Sequence, residues 1–273
     1  MLNLITGITI RIFSNSYLNV FQKLLTNKGE NPSVINFYTY LGLTVVGFIF
    51  CPEPIWTMEL LKYVLIMGLL GSLGNYFIIK ALSQGELSTL APINSYKPII
   101  ALIIGILILK EYPGIKEIYG ILLIILGTIV LNKNKLLLNR STFYRVLALV
   151  FSGSEAVFIK KIILISDIAS TFLYWSLFGL IFSYFFVYIS KHPIKINKIN
   201  LKYQLYLILM VALMQYSTNY VFSKMNVSYA LALFQLSTVL SVFIGANVFK
   251  ENNLRRKLLA TAIMIIGAII III

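Results

Sequence analysis

Long runs of predominantly apolar residues recur along the whole chain, and short polar connections separate them. A helix needs about 20 mostly apolar residues to cross the hydrocarbon core of a bilayer. The runs are continuous, whereas the strands of a membrane β-barrel alternate between apolar and polar positions. The pattern therefore predicts an all-α polytopic membrane protein with ten transmembrane helices, at residues 3–25, 33–50, 62–82, 87–109, 115–132, 142–163, 168–190, 203–223, 227–249 and 256–273.

The composition agrees with a chain whose exterior faces lipid. Hydrophobic residues make up 59% of the 273 residues, and charged residues make up only 12%. A soluble fold of this size has too little interior to bury so much apolar surface. The connections leave no room for a soluble domain. We therefore expect one multi-pass unit in the cell (inner) membrane, as a monomer or a homodimer.

The formal net charge of +14 comes mainly from lysines and arginines in the short gaps between the runs. Basic residues in such gaps contact lipid headgroups and select the topology. This distribution argues against a nucleic-acid partner. The loop cations, among which Arg145 is counted, predict that both termini lie outside the cell. The single cysteine, Cys51, permits no internal disulfide.

The chain contains an internal repeat. Residues 75–131 align with 215–271 at a constant offset of 140 and without a gap. The polar and glycine matches carry this alignment: Tyr76 with Tyr216, Ser88 with Ser228, Gly105 with Gly245, Lys110-Glu111 with Lys250-Glu251, and Gly127 with Gly267. We divide the chain into a five-helix repeat (1–132), a linker (133–141) and a second five-helix repeat (142–273). Because each half has an odd number of spans, the halves would cross the membrane in opposite directions, as in many transporters.

One segment resembles a known family. Its features are Pro98 at the start of a run of small and apolar residues to Gly105, then Lys110-Glu111, and then Gly120 and Gly127 seven residues apart. This pattern is similar to that of the drug/metabolite transporter superfamily, EamA type. The second half departs from it in having Thr238 where the proline would be. The resemblance implies a secondary transporter or exporter. It also implies a central path lined by the first, third and fourth helices of each half, with the fifth helix peripheral.

Glycines recur at Gly68, Gly71 and Gly74 on the third predicted helix. Small residues in membrane helices allow the backbones of neighbouring helices to approach closely. We interpret these glycines as packing positions and not as substrate contacts.

Lys97 lies deep in the fourth predicted helix, just before Pro98. A charged group inside a membrane span costs at least about 2.5–3.5 kcal/mol, so its presence needs a reason. Its position, about 15 Å along the helix, is too deep for easy snorkelling to the interface. We predict that Lys97, with Asn94 and Tyr96, binds an anionic group of the substrate, and that Pro98 loosens the helix there.

Glu155 is an acidic residue within the sixth predicted helix. It has two interpretations of equal weight. It carries a coupling proton, or it forms a fixed ion pair, for which Arg11 on the first helix is the candidate partner.

Further polar residues inside the spans complete the predicted path. Asn75 and Gln215 occupy equivalent places in the two halves, each one residue before a tyrosine. Each amide alone is as well suited to joining helices as to touching substrate, but as a set they favour a polar cavity. The predicted substrate-binding residues are Lys97, Asn15, Asn75, Tyr76, Asn94, Tyr96, Gln215, Tyr216, Asn219 and Gln235.

The other residues that could bind a metal or take part in catalysis give little evidence of such a site. Trp56 and Trp175 are interpreted as anchors at the membrane interface. His192 lies in a basic loop without partners for a metal centre. The sequence shows no phosphate-binding loop and no catalytic or metalloprotease motif, so we predict no cofactor, no metal and no enzymatic activity.

The sequence therefore favours an alternating-access transporter or exporter of a small polar metabolite, an amino acid or an organic anion, with possible use of a proton. Two alternatives stay open. One is a membrane partner or sensor that does not transport, which predicts ligand binding without translocation, or no cavity. Lys97 and Glu155 against lipid or in a dry interface would favour it. The other is a membrane protein that acts on lipid.

Overall fold

The computed structural model describes residues 3–131, 139–190, 193–195 and 197–237, and beyond these positions 240, 241, 244, 259, 260, 262–267 and 270. Residues 133–138 of the predicted linker, parts of the ninth and tenth predicted spans, His192, Thr238, Gly245 and Lys250-Glu251 lie outside the described residues.

Helices account for nearly all of the described chain, and these residues contain no strand. The all-α prediction is confirmed. The helices are α1 (Leu4–Asn27), α2 (Pro32–Phe50), α3 (Met58–Gln84), α4 (Leu87–Leu90), a 3₁₀ helix (Ala91–Tyr96), α5 (Lys97–Ile108), α6 (Ile115–Leu131), α7 (Arg140–Ile165), α8 (Ile168–Ser190), a second 3₁₀ helix (Lys198–Asn200), α9 (Leu201–Phe222) and α10 (Val227–Phe234).

Within the described residues, four helices are long and apolar enough to cross a membrane: Pro32–Phe50, Met58–Gln84, Ile168–Ile189 and Lys198–Phe222. Two further helices, α1 and α7, are 24 and 26 residues long but bury charged side chains. The count of ten spans stays a prediction.

The fourth predicted span is not one continuous helix. It consists of α4, the 3₁₀ helix Ala91–Tyr96 and α5, which begins at Lys97. The prediction that Pro98 loosens a helix is wrong, because Pro98 lies in the first turn of α5, where a missing N–H costs no helical hydrogen bond. The irregular backbone lies before Lys97 instead of around Pro98.

The two halves interlock. The main helix contacts join α1 to α9, α3 to α7 and α2 to α8. The first helix of each half thus packs on the third helix of the other half, and the second helices pack on each other. This exchange is the arrangement expected for two repeats related by a two-fold axis.

Close approach at glycines supports this packing. A Cβ at Gly68 would overlap Phe178, a Cβ at Gly71 would overlap the Glu155 carboxylate, and a Cβ at Gly74 would lie 3.3 Å from Ser152. These three positions are packing sites, as predicted from the sequence. Gly71 in addition leaves the space that the Glu155 side chain occupies.

A polar cluster holds α5, α7 and α10 together at one end of the bundle. Lys110, with a φ of 57°, ends the α5 region. The next residue, Glu111, forms an ion pair with Lys160 of α7 (3.1 Å) and accepts a hydrogen bond from the N–H of Val227 at the start of α10 (3.0 Å). Lys160 also donates to the Met225 carbonyl (2.8 Å).

We expect the Glu111→Gln variant to lower the stability of the purified protein by about 1–3 kcal/mol, because a mostly buried lysine loses its counter-charge. Thermal unfolding in detergent would measure this as a lower Tm. The Glu59→Gln variant, at an exposed position of α3, is the matched control and should keep the wild-type Tm. An unchanged Tm for Glu111→Gln would show that the ion pair contributes nothing to stability.

Candidate functional site

A cavity of about 80 Å³ lies between the two halves. Residues of both halves line it, from the first, third and fourth predicted helices of each half and from Trp175 of α8. Its polar and charged lining consists of Arg11, Asn15, Asn19, Asn75, Asn94, Lys97, Arg145, Ser152, Glu155, Trp175, Gln215 and Thr218.

One face of α1 supplies Arg11, Asn15 and Asn19, which are spaced four residues apart and therefore lie above one another on the helix. The Arg11 side chain is 7% exposed. Its Nε donates to Thr218 Oγ1 (2.6 Å), and its guanidinium lies over the Phe234 ring, 4.8 Å from the centroid. Its Nη1 is buried and has no hydrogen-bond partner among the described residues. Arg11 therefore keeps a donor that is free for a ligand.

Lys97 is the first residue of α5, and its side chain lines the cavity. No ion pair or hydrogen bond of its ammonium group is found within the described part of the chain. The amino end of a helix carries partial positive charge, which disfavours a cation and favours an anion there. An anionic ligand would satisfy both the ammonium group and the helix end.

The third cation of the cavity was missed from the sequence. Arg145 was counted as a loop cation, and this is wrong: it lies within α7, is 6% exposed and lines the cavity. Its Nε donates to the Leu90 carbonyl (3.1 Å). The helical period could have indicated this position, because residues seven apart lie on the same face of a helix. Ser152 and Ile159, seven and fourteen residues after Arg145, line the same cavity.

The interpretation of Trp175 as an interfacial anchor is also wrong. Trp175 is 3% exposed, and its indole N–H donates to Glu155 Oε1. Tyr40 packs against the indole, with 5.1 Å between the ring centroids. Trp175 is therefore the residue that holds the Glu155 carboxylate in place. Trp56, by contrast, is 46% exposed.

Arg11 and Glu155 line the same cavity but form no ion pair among the described residues. The recorded partners of Arg11 are Thr218 and Phe234, and the recorded hydrogen-bond partner of Glu155 is Trp175. The structure thus brings the two predicted charged residues to one site without pairing them.

Four of the predicted amides line the cavity, including the repeat-related Asn75 and Gln215. Each also donates a hydrogen bond within the protein: Asn15 to Ser237 Oγ (2.8 Å), Asn75 to Tyr40 Oη (3.1 Å), Asn94 to Gln235 Oε1 (3.4 Å) and Gln215 to Asn219 Oδ1 (2.9 Å). The other two predicted amides, Asn219 and Gln235, are buried behind the cavity wall and contact the lining amides.

The three predicted tyrosines do not line the cavity. Tyr216 is 48% exposed, Tyr76 accepts a hydrogen bond from Lys80 (3.1 Å), and Tyr96 packs in an apolar cluster. For Tyr76 and Tyr216 the reason is helical geometry, because consecutive residues on a helix are turned by about 100°. With Asn75 and Gln215 facing the cavity, the next residue of each helix faces away.

The cavity has an excess of positive charge. Arg11, Lys97 and Arg145 face a single carboxylate, that of Glu155. Charges interact strongly where water is scarce, so this lining attracts an anion and repels a cation. In the described part of the chain, no group of histidine, cysteine, aspartate and glutamate residues could hold a metal ion.

Comparison with known proteins agrees with the repeat. The model of the EamA-like transporter family matches twice, at residues 4–133 and 140–273. An uncharacterized protein of Methanocaldococcus jannaschii is 28% identical in an alignment of 137 positions that covers 47% of this chain and 95% of that protein. That relative is thus about as long as one repeat. A solved crystal structure covers 97% of this chain and 96% of its own, with a TM-score of 0.72 and 13% identity, and so shares the fold.

Proposed function

Because the chain belongs to the EamA-like transporter family, we propose that this multi-pass membrane protein is a secondary transporter of a small polar metabolite with an anionic group, either an organic anion or an amino acid. The observation that carries the substrate class is the group of three cations, Arg11, Lys97 and Arg145, around one buried cavity. A single chain encloses this cavity, so one protomer suffices for the site. We place the protein in the cell (inner) membrane.

Alternating access is the mechanism that the repeat supports best. Inverted repeats give a transporter two related conformations around a site between the halves. Here the cavity lies between the halves, and residues of α1, α3, α7 and α9 contribute to it. These helices form the exchanged pairs, α1 with α9 and α3 with α7. Rocking of one pair against the other would open the cavity to each side in turn.

We assign Glu155 the role of the proton-coupling residue. It is 8% exposed, it lines the cavity together with Lys97, and the Trp175 N–H holds it without neutralising it. A carboxyl group that faces a cavity inside a membrane protein can exchange a proton as the cavity opens. Lys97 and Glu155 against lipid or in a dry interface would have favoured a partner or sensor that does not transport, but both residues line the cavity. Ligand binding without translocation is the outcome of the counterflow experiment that would support that alternative.

Counterflow in liposomes tests the proposed function. Liposomes that contain the purified protein and unlabelled anion should accumulate the labelled anion transiently. A carrier with one alternating site exchanges labelled anion outside for unlabelled anion inside. A panel of amino acids, organic anions and organic cations would identify the class. Accumulation of cations alone would contradict the proposal, and so would binding of an anion without counterflow. Protein-free liposomes are the control.

A further inference from the structure

We propose that the preferred substrate carries two negative charges, as a small dicarboxylate or a phosphate monoester does. This inference rests on the proposed function and names the substrate class of the same site. Its starting point is the charge balance of the cavity, where three cations face one carboxylate. A ligand with one negative charge would leave one cation of this buried site without a counter-charge.

The three cations have spare capacity for such a ligand. Arg11 uses Nε on Thr218 and leaves Nη1 without a partner, although the side chain is 93% buried. The recorded hydrogen bond of Arg145 uses Nε on the Leu90 carbonyl. Lys97 interacts electrostatically with Glu155 but has no hydrogen bond or close ion pair among the described residues. A buried donor without a partner, such as Arg11 Nη1, costs free energy unless a ligand satisfies it.

The two arginines come from different repeats, which gives a geometric reason for a ligand with two negative charges. Arg11 lies on α1, the first helix of the first repeat, and Arg145 lies on α7, the first helix of the second repeat. Guanidinium groups bind carboxylates and phosphates through paired N–H donors. A ligand with two acidic charges can thus engage one guanidinium from each half, with Lys97 of the first repeat as a third contact. Such a ligand would connect the pair α1 and α9 to the pair α3 and α7, which rock against each other in the proposed mechanism.

Glu155 does not supply the missing charge. Its carboxylate is a single negative group, and the Trp175 N–H holds it against α3 at Gly71. The excess of two positive charges persists while Glu155 is ionised, and it rises when Glu155 takes up a proton. Protonation of Glu155 would therefore increase the preference of the cavity for a divalent anion.

Two pairs of probes that differ by one charge at similar size test the inference: succinate against succinamate, and methyl phosphate against dimethyl phosphate. Binding to the purified full-length protein in nanodiscs would be measured by calorimetry at pH 8, where the phosphate monoester is doubly charged. At least one divalent probe should bind about ten- to a hundredfold more tightly than its monovalent partner. The pair that shows this preference distinguishes a dicarboxylate from a phosphate ester.

The Arg145→Gln variant should reduce this preference to below about threefold, because the variant removes one of the two unmatched charges. The Arg145→Lys variant should restore part of it. The Arg140→Gln variant, at an exposed position of the same helix, should keep the wild-type preference. If Arg145→Gln fails to fold, Lys97→Gln serves instead, since the structure records no hydrogen bond that it would break.

Equal binding of both members of each pair would overturn this inference and leave anion transport in place. A preference that survives in both Arg145→Gln and Lys97→Gln would also overturn it. Binding of organic cations in place of every anion tested would overturn the inference together with the proposed function.

Discussion

Replacement of Lys97 by methionine should weaken binding of the transported anion about ten- to a hundredfold, and counterflow should fall to the level of protein-free liposomes. Lys97 lines the cavity at the start of α5, interacts electrostatically with Glu155, and has no hydrogen bond or close ion pair within the described residues. A hydrogen bond to a charged group contributes about 1.5–3 kcal/mol. Methionine keeps a long, unbranched side chain and removes the charge together with its N–H donors.

The same variant should keep the Tm of the ligand-free protein close to that of the wild type. Removal of the Lys97 charge ends its repulsion by Arg11 and Arg145 and also its attraction to Glu155, and no recorded hydrogen bond is lost. These electrostatic changes oppose each other, so the net effect on stability is small. The Lys116→Met variant, at an exposed position of α6, is the matched control and should keep both binding and Tm. A lower Tm with unchanged anion binding would show that Lys97 is a structural residue.

The second large effect is expected for the Glu155→Gln variant. Accumulation of the anion driven by a pH gradient should disappear, because the glutamine amide does not take up and release a proton as the carboxylate does. Counterflow without a gradient should persist, since glutamine keeps an oxygen that can accept the Trp175 N–H. Uptake of labelled anion into liposomes, with and without the gradient, separates the two activities.

The Glu59→Gln variant lies at the exposed start of α3 and is the control for Glu155→Gln. It should behave as the wild type in both uptake measurements. Gradient-driven accumulation that survives in Glu155→Gln would assign proton coupling to another group. Loss of counterflow as well would show that Glu155 contacts the substrate or supports the cavity instead of carrying the proton alone.

The fold class followed from the sequence because it depends on the one-dimensional pattern. In a continuous apolar run that is long enough to cross the membrane, only a helix can provide hydrogen bonds for all backbone N–H and C=O groups within the segment. The repeat was visible because glycines, lysines and glutamates recur at one offset, and the family model matches the same two halves. Glycines on α3 indicated close packing, because only the absence of a side chain permits it.

Part of the site also followed from the sequence. Lys97 and Glu155 were candidates because a charge within an apolar run is costly, and both line the cavity. The amides at 75 and 215 were candidates through the repeat, and both line it as well. Their neighbours Tyr76 and Tyr216 were grouped with them because they are adjacent in sequence, but adjacency along a helix places side chains on different faces.

Only the tertiary structure decided which polar groups meet. Arg145 lies near the start of an apolar run, where the sequence does not distinguish a loop residue from a buried one. The packing of α7 against α3 decided that it is buried. A tryptophan at the membrane interface and a buried tryptophan look the same in the sequence. Only the contacts of Trp175 with Glu155 and Tyr40 show that it is buried. The sequence by itself thus determined the helices, their repetition and the costly charges, since each depends on local composition. The pairing of those charges depends on contacts between residues far apart in the chain, and these exist only once the two halves have packed.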